Sequence, residues 1–311
     1  MRKRAIALTI VAFTLWGGAT ARADDELQQY LEQAAVAEFH ATGIVMSSWG
    51  TESVAAMYEI TRSHGMSMVR GPAGDLMVVD GLTAVGSAEG WYAVEVGEAA
   101  DWVLADRYTL GAPMPTTRLG RPASELMVFE DGTPRLRLIV DDASRVPLLT
   151  EVLDGDGRVF RVATLIDFAP EQPAAPARPQ SYGSHHMVMP MAEYSGLPGI
   201  LAGYRLTDTY GDPNGIVQGY YSDGLFSFSV FESKRGGTPG AFADAAAFTV
   251  DGSAYRRLVT PSYAWVQWHA PDRSYVLVGD LPPDHLAAVL VELPRPGDRG
   301  LFVRLWRRLF G

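Results

Sequence analysis

The chain has 311 residues, no cysteine and a net charge of −10 at neutral pH. Without cysteine there are no disulfides, thiol nucleophiles or thiolate metal sites, so stability must come from apolar cores. The excess of acid argues against a nucleic-acid partner and against broad adhesion to anionic lipid.

Arg2, Lys3 and Arg4 precede an apolar run over 5–16, and Ala21-Arg22-Ala23 follows with the small-x-small pattern of a cleavage site. A bilayer-spanning helix needs about 20 apolar residues, more than this run supplies. Residues 1–23 are therefore expected to be a signal peptide, with a retained N-terminal anchor as the alternative, and the rest to be exported to the periplasm or extracytoplasmic envelope. Cleavage would remove Arg2, Lys3, Arg4 and Arg22 and no acid, taking the net charge to about −14.

Residues 24–39 read as an amphipathic helix. Asp24, Asp25 and Glu26 suit the positive end of its dipole, and Leu27, Leu31, Ala34 and Ala35 share one face. From Gly43 onward, short apolar or alternating runs predict strands over 44–48, 54–61, 67–70, 76–79, 91–96, 125–129, 135–140, 148–153 and 159–166. Asp131-Gly132 and Asp154-Gly155-Asp156-Gly157 are hairpin signals between them. Sustained alternation with short turns predicts an antiparallel sheet rather than βαβ units. Residues 101–108 read as a short helix against that sheet.

Four prolines in PEQPAAPARPQ mark 170–181 as a semi-rigid linker. Beyond it, strands are predicted over 202–208, 216–221, 225–232, 254–258, 263–269 and 275–279, with a helix over 282–293. Pro282 and Pro283 fit that helix's first turn, and Leu286, Val289, Leu290 and Leu293 make its apolar face. Within this unit, YYSDGLFSFSV reads as a turn at Ser222-Asp223-Gly224 launching a strand. Phe226, Phe228 and Val230 are expected to face the core, and Ser227 and Ser229 to face water. The fold class is α+β: an open, strongly curved antiparallel sheet (a half-barrel) with helices over 24–169, then a smaller antiparallel sheet with one packing helix over 182–294.

No pattern of catalytic or nucleotide-binding chemistry is present. His185 and His186 are adjacent, so on a strand they point to opposite faces and do not share an ion. The Asp154 loop lacks the later ligands of a calcium loop, with Leu165 where the bidentate Glu would stand. Ser222 and Asp223 have no His at a readable spacing. No catalytic, cofactor-binding or metal-binding residue is expected, and the protein is read as a non-enzyme with no cofactor.

Two features suit binding. Met46, Trp49, Met57, Met66, Met68, Trp91, Trp102 and Met127 could line a pocket for acyl chains, because methionine adapts to varied apolar shapes; ordinary core is the alternative. Residues 295–311 form a cationic amphipathic tail. As a helix it sets Leu301, Phe302, Leu305, Trp306, Leu309 and Phe310 on one side and Arg307 and Arg308 towards the other, which fits a membrane surface, a partner or the protein's own surface.

The segment Tyr221-Ser222-Asp223-Gly224-Leu225-Phe226-Ser227-Phe228-Ser229-Val230 closely resembles a motif of the RseB/MucB family, exported negative regulators of envelope-stress sigma-factor signalling. Arg118-Leu119-Gly120-Arg121-Pro122-Ala123, the stretch from Val146-Pro147-Leu148-Leu149 to the Asp154 turn, and Val278-Gly279-Asp280-Leu281-Pro282-Pro283 resemble further family segments, in family order. The resemblance implies a lipoprotein-carrier-like N-terminal domain and an RseB-type C-terminal domain. It implies a transmembrane anti-sigma factor as partner, gripped by its extracytoplasmic part, and a lipidic or lipopeptide signal sensed by the first domain. Tyr220, Tyr221, Asp223, Leu225 and Phe231 become the candidates for partner contact. The alternative is an exported lipid or lipoprotein carrier.

Overall fold

The computed structural model describes residues 33, 37–63, 66–71, 74–79, 82–87, 90–95, 107–170, 189–190, 196–211, 215–234 and 245–297. The first sheet is built from β1 (Phe39–Trp49), β2 (Glu52–Ser63), β3 (Met66–Gly71), β4 (Gly74–Val79), β5 (Leu82–Ser87), β6 (Gly90–Glu95), β7 (Tyr108–Leu110), β8 (Met114–Arg118), β9 (Arg121–Glu130), β10 (Thr133–Asp141), β11 (Pro147–Leu153) and β12 (Val159–Ala169). Their order is β6-β5-β4-β3-β2-β1-β12-β11-β10-β9-β7, with β8 also on β9. The ends do not meet, so this is an open sheet. Every pairing is antiparallel, as the alternation predicts.

Register shifts at Thr42/Gly43, Pro134/Leu136, Ile139/Val140 and Val152/Leu153 interrupt the four central pairings. An extra residue on one strand bends it and raises its twist, which is how a sheet of this width acquires curvature. One face of the bend carries Phe39, Ala41, Val45, Tyr58, Ile60, Ala163 and Leu165, all buried.

The second sheet contains β13 (Met189–Pro190), β14 (Ile200–Leu201), β15 (Tyr204–Gly211), β16 (Val217–Ser222), β17 (Ser227–Lys234), β18 (Ala246–Val250), β19 (Ser253–Val259), β20 (Ala264–His269) and β21 (Arg273–Gly279). The order is β13-β15-β16-β17-β21-β20-β19-β18, with β14 on β15. Helix α1 (Pro283–Glu292) begins with proline where a missing N–H does no harm, and it buries His285, Leu286, Val289 and Leu290. One apolar cluster joins the two units: Trp49, Tyr108, Leu126, Val128 and Leu138 from the first sheet meet Tyr204, Tyr221 and Val266 of the second, Phe226 of the turn between β16 and β17, and Leu286 of α1.

Several expectations change. Phe39, predicted to end a helix, opens β1, and Tyr108, predicted to end another, opens β7. Of the rest of both predicted helices, Gln33 is helical, Ala37, Glu38 and Arg107 stand outside any helix and the others lie outside the described residues, as do the signal peptide, nearly all of the linker, His185, His186 and the tail beyond Gly297. β5, β7, β8, β13, β14 and β18 were not expected. β7, β13 and β14 are two or three residues long, too short to show a period. β8 holds Pro115, which is compatible only with an edge.

Candidate functional site

A partly open pocket lies on the inner face of the first sheet, where Leu225, Phe226 and Asp280 of the second unit also line it. In β1, β2 and β12 the register stacks Phe39 beside Arg62, Ala41 beside Ile60 and Val45 beside Ala163 on that face. Phe39, Tyr58, Ile60, Val152 and Leu165 form its apolar wall, Leu225 and Phe226 cover it, and about 120 Å³ of space remains inside. Arg161 and Asp280 also line it. Arg161 is almost fully buried. Its Nε donates to Ser47 Oγ at 3.2 Å and its Nη1 to the Asp280 carbonyl at 2.9 Å. Its Nη2 has no partner. Burial brings this guanidinium down to about 10, with the Asp280 charge opposing the shift. Burial likewise raises the Asp280 carboxyl above its usual range.

Beside the pocket the two sheets are held by a clasp of buried charges. Asp223 is 3% exposed and its Oδ2 accepts the Tyr108 hydroxyl at 2.6 Å. Arg107 lies 3.2 Å from the same oxygen, also pairs with Glu130, and stacks over the Tyr204 ring. Glu130 accepts from Arg135 at 2.7 Å and from His285 Nε2 at 2.8 Å, while Arg135 reaches Asp284 at 2.7 Å. The other His285 nitrogen meets the Tyr204 hydroxyl at 2.7 Å. Burial opposes ionisation of Glu130, but the bonds and charges of His285 and Arg107 outweigh it and hold the carboxyl at about 2. The Tyr108 phenol is pushed well above its usual range by burial and by the Asp223 charge. Isolated buried charges are costly; here each has an opposite charge and hydrogen bonds in place.

The clasp depends on the Ser222–Phe226 turn. Gly224 supplies φ +91°, and Asp223 Oδ1 accepts the N–H groups of Leu225 at 3.0 Å and Phe226 at 2.8 Å. An Asp that folds its own turn this way is an expected device. Gly279 secures the turn from the neighbouring strand, since a Cβ there would lie 2.4 Å from Phe228 Cβ and 2.7 Å from the Ser227 carbonyl. A second seam lies at the β1–β2 hairpin. Ser47 Oγ donates to the Pro261 carbonyl at 2.6 Å, Arg257 reaches Glu52 at 3.0 Å and its guanidinium covers the Trp49 ring.

The predicted residues are distributed differently. Met46 and Met57 are 40% and 58% exposed, and Met127 pairs across from Arg137. All three stand on the convex face, away from the pocket. Trp49 and Met68 are buried but do not line it. The side chains of Met66 and Trp91, and Trp102 entirely, lie outside the described residues. Tyr221 and Asp223 are interior, facing the core and the clasp, so neither offers a surface to a partner. Tyr220 and Phe231 are half-buried, and Leu225 covers the pocket.

Phe226, Phe228 and Val230 do face the core. Ser229 does not face water. It is 1% exposed, pairs across from Tyr220 on one side and Val278 on the other, and accepts Gln218 Nε2 at 3.0 Å. A central strand with large neighbours is covered on both faces. The pocket's own signal was present in the sequence as parity: Phe39, Ala41 and Val45 share one phase of β1 and Met46 has the other. The clasp had no local signal, since Tyr108 and Asp223 are 115 residues apart.

Among the described residues there is no cluster of three or more potential metal ligands, and no helix long and apolar enough to cross a membrane. No family model and no curated protein matches the chain. Among solved structures, the MucA/MucB complex of Pseudomonas aeruginosa is similar with a TM-score of 0.54 and 22% identity, covering 86% of this chain and 97% of that one. MucB in complex with MucA(peri) gives 0.52 and 22% over 86% and 96%. MucB alone gives 0.51 and 21% over 88% and 98%. The chain shares the two-sheet fold of MucB across both of its sheets.

Proposed function

We propose, from this shared fold, that the chain is an exported non-catalytic regulator whose partner is the extracytoplasmic part of an anti-sigma factor. The observation that carries the reading is the extent of the likeness. It extends over 86% of this chain, and the similar protein is one solved together with MucA. In this reading the lipidic signal enters the pocket under Leu225 and Phe226, and signalling stays off while the partner is held. Leu225, Tyr220 and Phe231 are the contacts still accessible for a partner, and residues 301–311 add a peripheral membrane contact.

The direct test is affinity purification from envelope extracts with mass spectrometry of the eluate. A single-span anti-sigma protein supports the reading, and its repeated absence ends it. Phe231→Ala should weaken that capture without unfolding the protein. Deleting 300–311 should lower recovery in the membrane fraction; unchanged fractionation would mean that the tail docks on the protein itself. The apolar pocket favours one other reading, an exported carrier of acylated cargo. Solvent extraction of the purified protein separates the two, because a carrier retains acyl chains through purification.

A further inference from the structure

The second sheet has two unlike faces. Val230, Leu277 and Val266 point inward and share one core with α1 and the first sheet, and the Tyr255 hydroxyl donates to the Leu290 carbonyl of α1 at 3.4 Å. The opposite phase points outward. There the register sets Tyr220, Ser229, Val278 and Trp265 in one row across β16, β17, β21 and β20, and Phe231 and Val276 in the next. Tyr220, Phe231, Val276 and Trp265 are half-buried. On β16, β17, β21 and β20 no outward position carries a carboxylate, a lysine or an arginine, although the chain has a net charge of −10. An uncharged apolar face on an acidic protein suits a docking surface. At its β15 margin Asp208 stands opposite Tyr220. Burial raises that carboxyl, and no cation among the described residues opposes the shift. The occupant that fits brings an apolar side and a cation near one end.

The C-terminal tail meets that description. Gly297, the last described residue, donates its N–H to the His269 carbonyl at 2.9 Å. The chain therefore reaches 297 at the end of β20, beside the outward face, while α1 already takes part of the inner one. Residues 298–300 span about 10 Å when extended, and 301–310 about 15 Å as a helix. From His269 to Asp208 the sheet measures about 19 Å across four strand spacings and about 13 Å along the strands, a diagonal of about 23 Å. The tail is long enough to cross it. Leu301, Leu305, Trp306 and Leu309 make its apolar side, and Arg307 and Arg308 arrive at the far margin.

We propose that residues 301–310 dock as a helix on the outward face of the second sheet, with Leu305 and Trp306 over Phe231 and Val276 and an arginine of 307–308 on Asp208, and that they compete there with the partner for Tyr220 and Phe231. The competition, though not the docking, rests on the reading of Tyr220 and Phe231 as partner contacts. The side that docks is also the side a membrane would take up, so the tail serves the sheet or the membrane and never both at once.

With no native cysteine, spin labels at K234C and G311C follow the tail by pulsed EPR; Lys234 is exposed at the end of β17. The distance distribution should be narrow in the full chain, broad in Trp306→Glu and in Phe231→Glu, and partly broadened in Asp208→Asn. Trp306→Glu and Asp208→Asn carry the test if Phe231→Glu folds poorly. Deleting 300–311 should raise affinity for the anti-sigma partner about tenfold, because a tethered competitor is lost. Docking is overturned if the full chain already gives the breadth of Trp306→Glu, or if Phe231→Glu and Asp208→Asn both leave the distribution unchanged, which would place the tail elsewhere. Competition is overturned if the deletion does not raise affinity. The EPR is read without partner or membrane, so failed docking leaves partner capture standing, and failed capture leaves the docking.

Discussion

Two turns built from the same residue types have opposite fates. Asp154-Gly155-Asp156-Gly157 and Ser222-Asp223-Gly224 each use an Asp side chain to accept two backbone N–H groups of their own turn: Asp156 and Arg158 in the first, Leu225 and Phe226 in the second. Residues 155–158 are exposed, whereas Asp223 is buried and tied to Tyr108 and Arg107 from the other sheet. Local chemistry makes the turn. Only the partner brought from a distance makes it a joint between sheets.

Substitutions should separate the two. Asp223→Ala leaves the buried Tyr108 phenol unpaired and takes one of two carboxylates from Arg107, and removing one member of a buried pair costs up to about 3–5 kcal/mol. The denaturant midpoint should fall accordingly, and adding Tyr108→Phe should recover part of the loss. A drop under 1 kcal/mol would mean that the clasp is ornamental. Gly279→Ala forces a methyl against Phe228 and the Ser227 carbonyl, with an expected cost of about 1–3 kcal/mol from overpacking. Asp154→Ala loses only solvent-facing bonds, so about 0.5–1.5 kcal/mol is expected. If it matched Asp223→Ala, the contrast between the turns would collapse.

Acid should act on the clasp as well. Glu130 is held at about 2 in the folded protein, below the usual 4.5. A depressed carboxyl contributes stability that is complete above its unfolded value and is lost as pH falls through the folded one. Unfolding measurements should therefore show stability declining from about pH 4.5 towards 2, with a shallower decline in Glu130→Gln.

Much of this architecture was legible in the sequence. The alternation over 44–48 and 54–61 placed β1 and β2, Asp131-Gly132 placed the β9–β10 hairpin, and the paired prolines placed α1, because each rests on residues close together in the chain. β18 was missed because Ala246–Val250 sits at an edge, half-exposed, with little apolar contrast. For the pocket, residue type misled where phase would not have. Methionine suggested adaptability, but Met46 and Met57 lie out of phase with Phe39 and Tyr58 and fall on the convex face. The clasp could not have been read at all, since no spacing rule joins Arg107 and Glu130 to Asp223 and His285.

The clasp also has a direction in time. Arg107, Tyr108, Glu130 and Arg135 precede every residue that binds them across the seam, the last being Asp284 and His285. β1 likewise waits for β12, with His40 opposite Ala169. A chain emerging from its N-terminus can already pair Glu130 with Arg107 and Arg135, but Tyr108 and the second carboxylate partner of each arginine wait until nearly all of it has appeared. A truncated product would lack Asp223 and Asp284, so the joint closes only when nearly the whole chain is present.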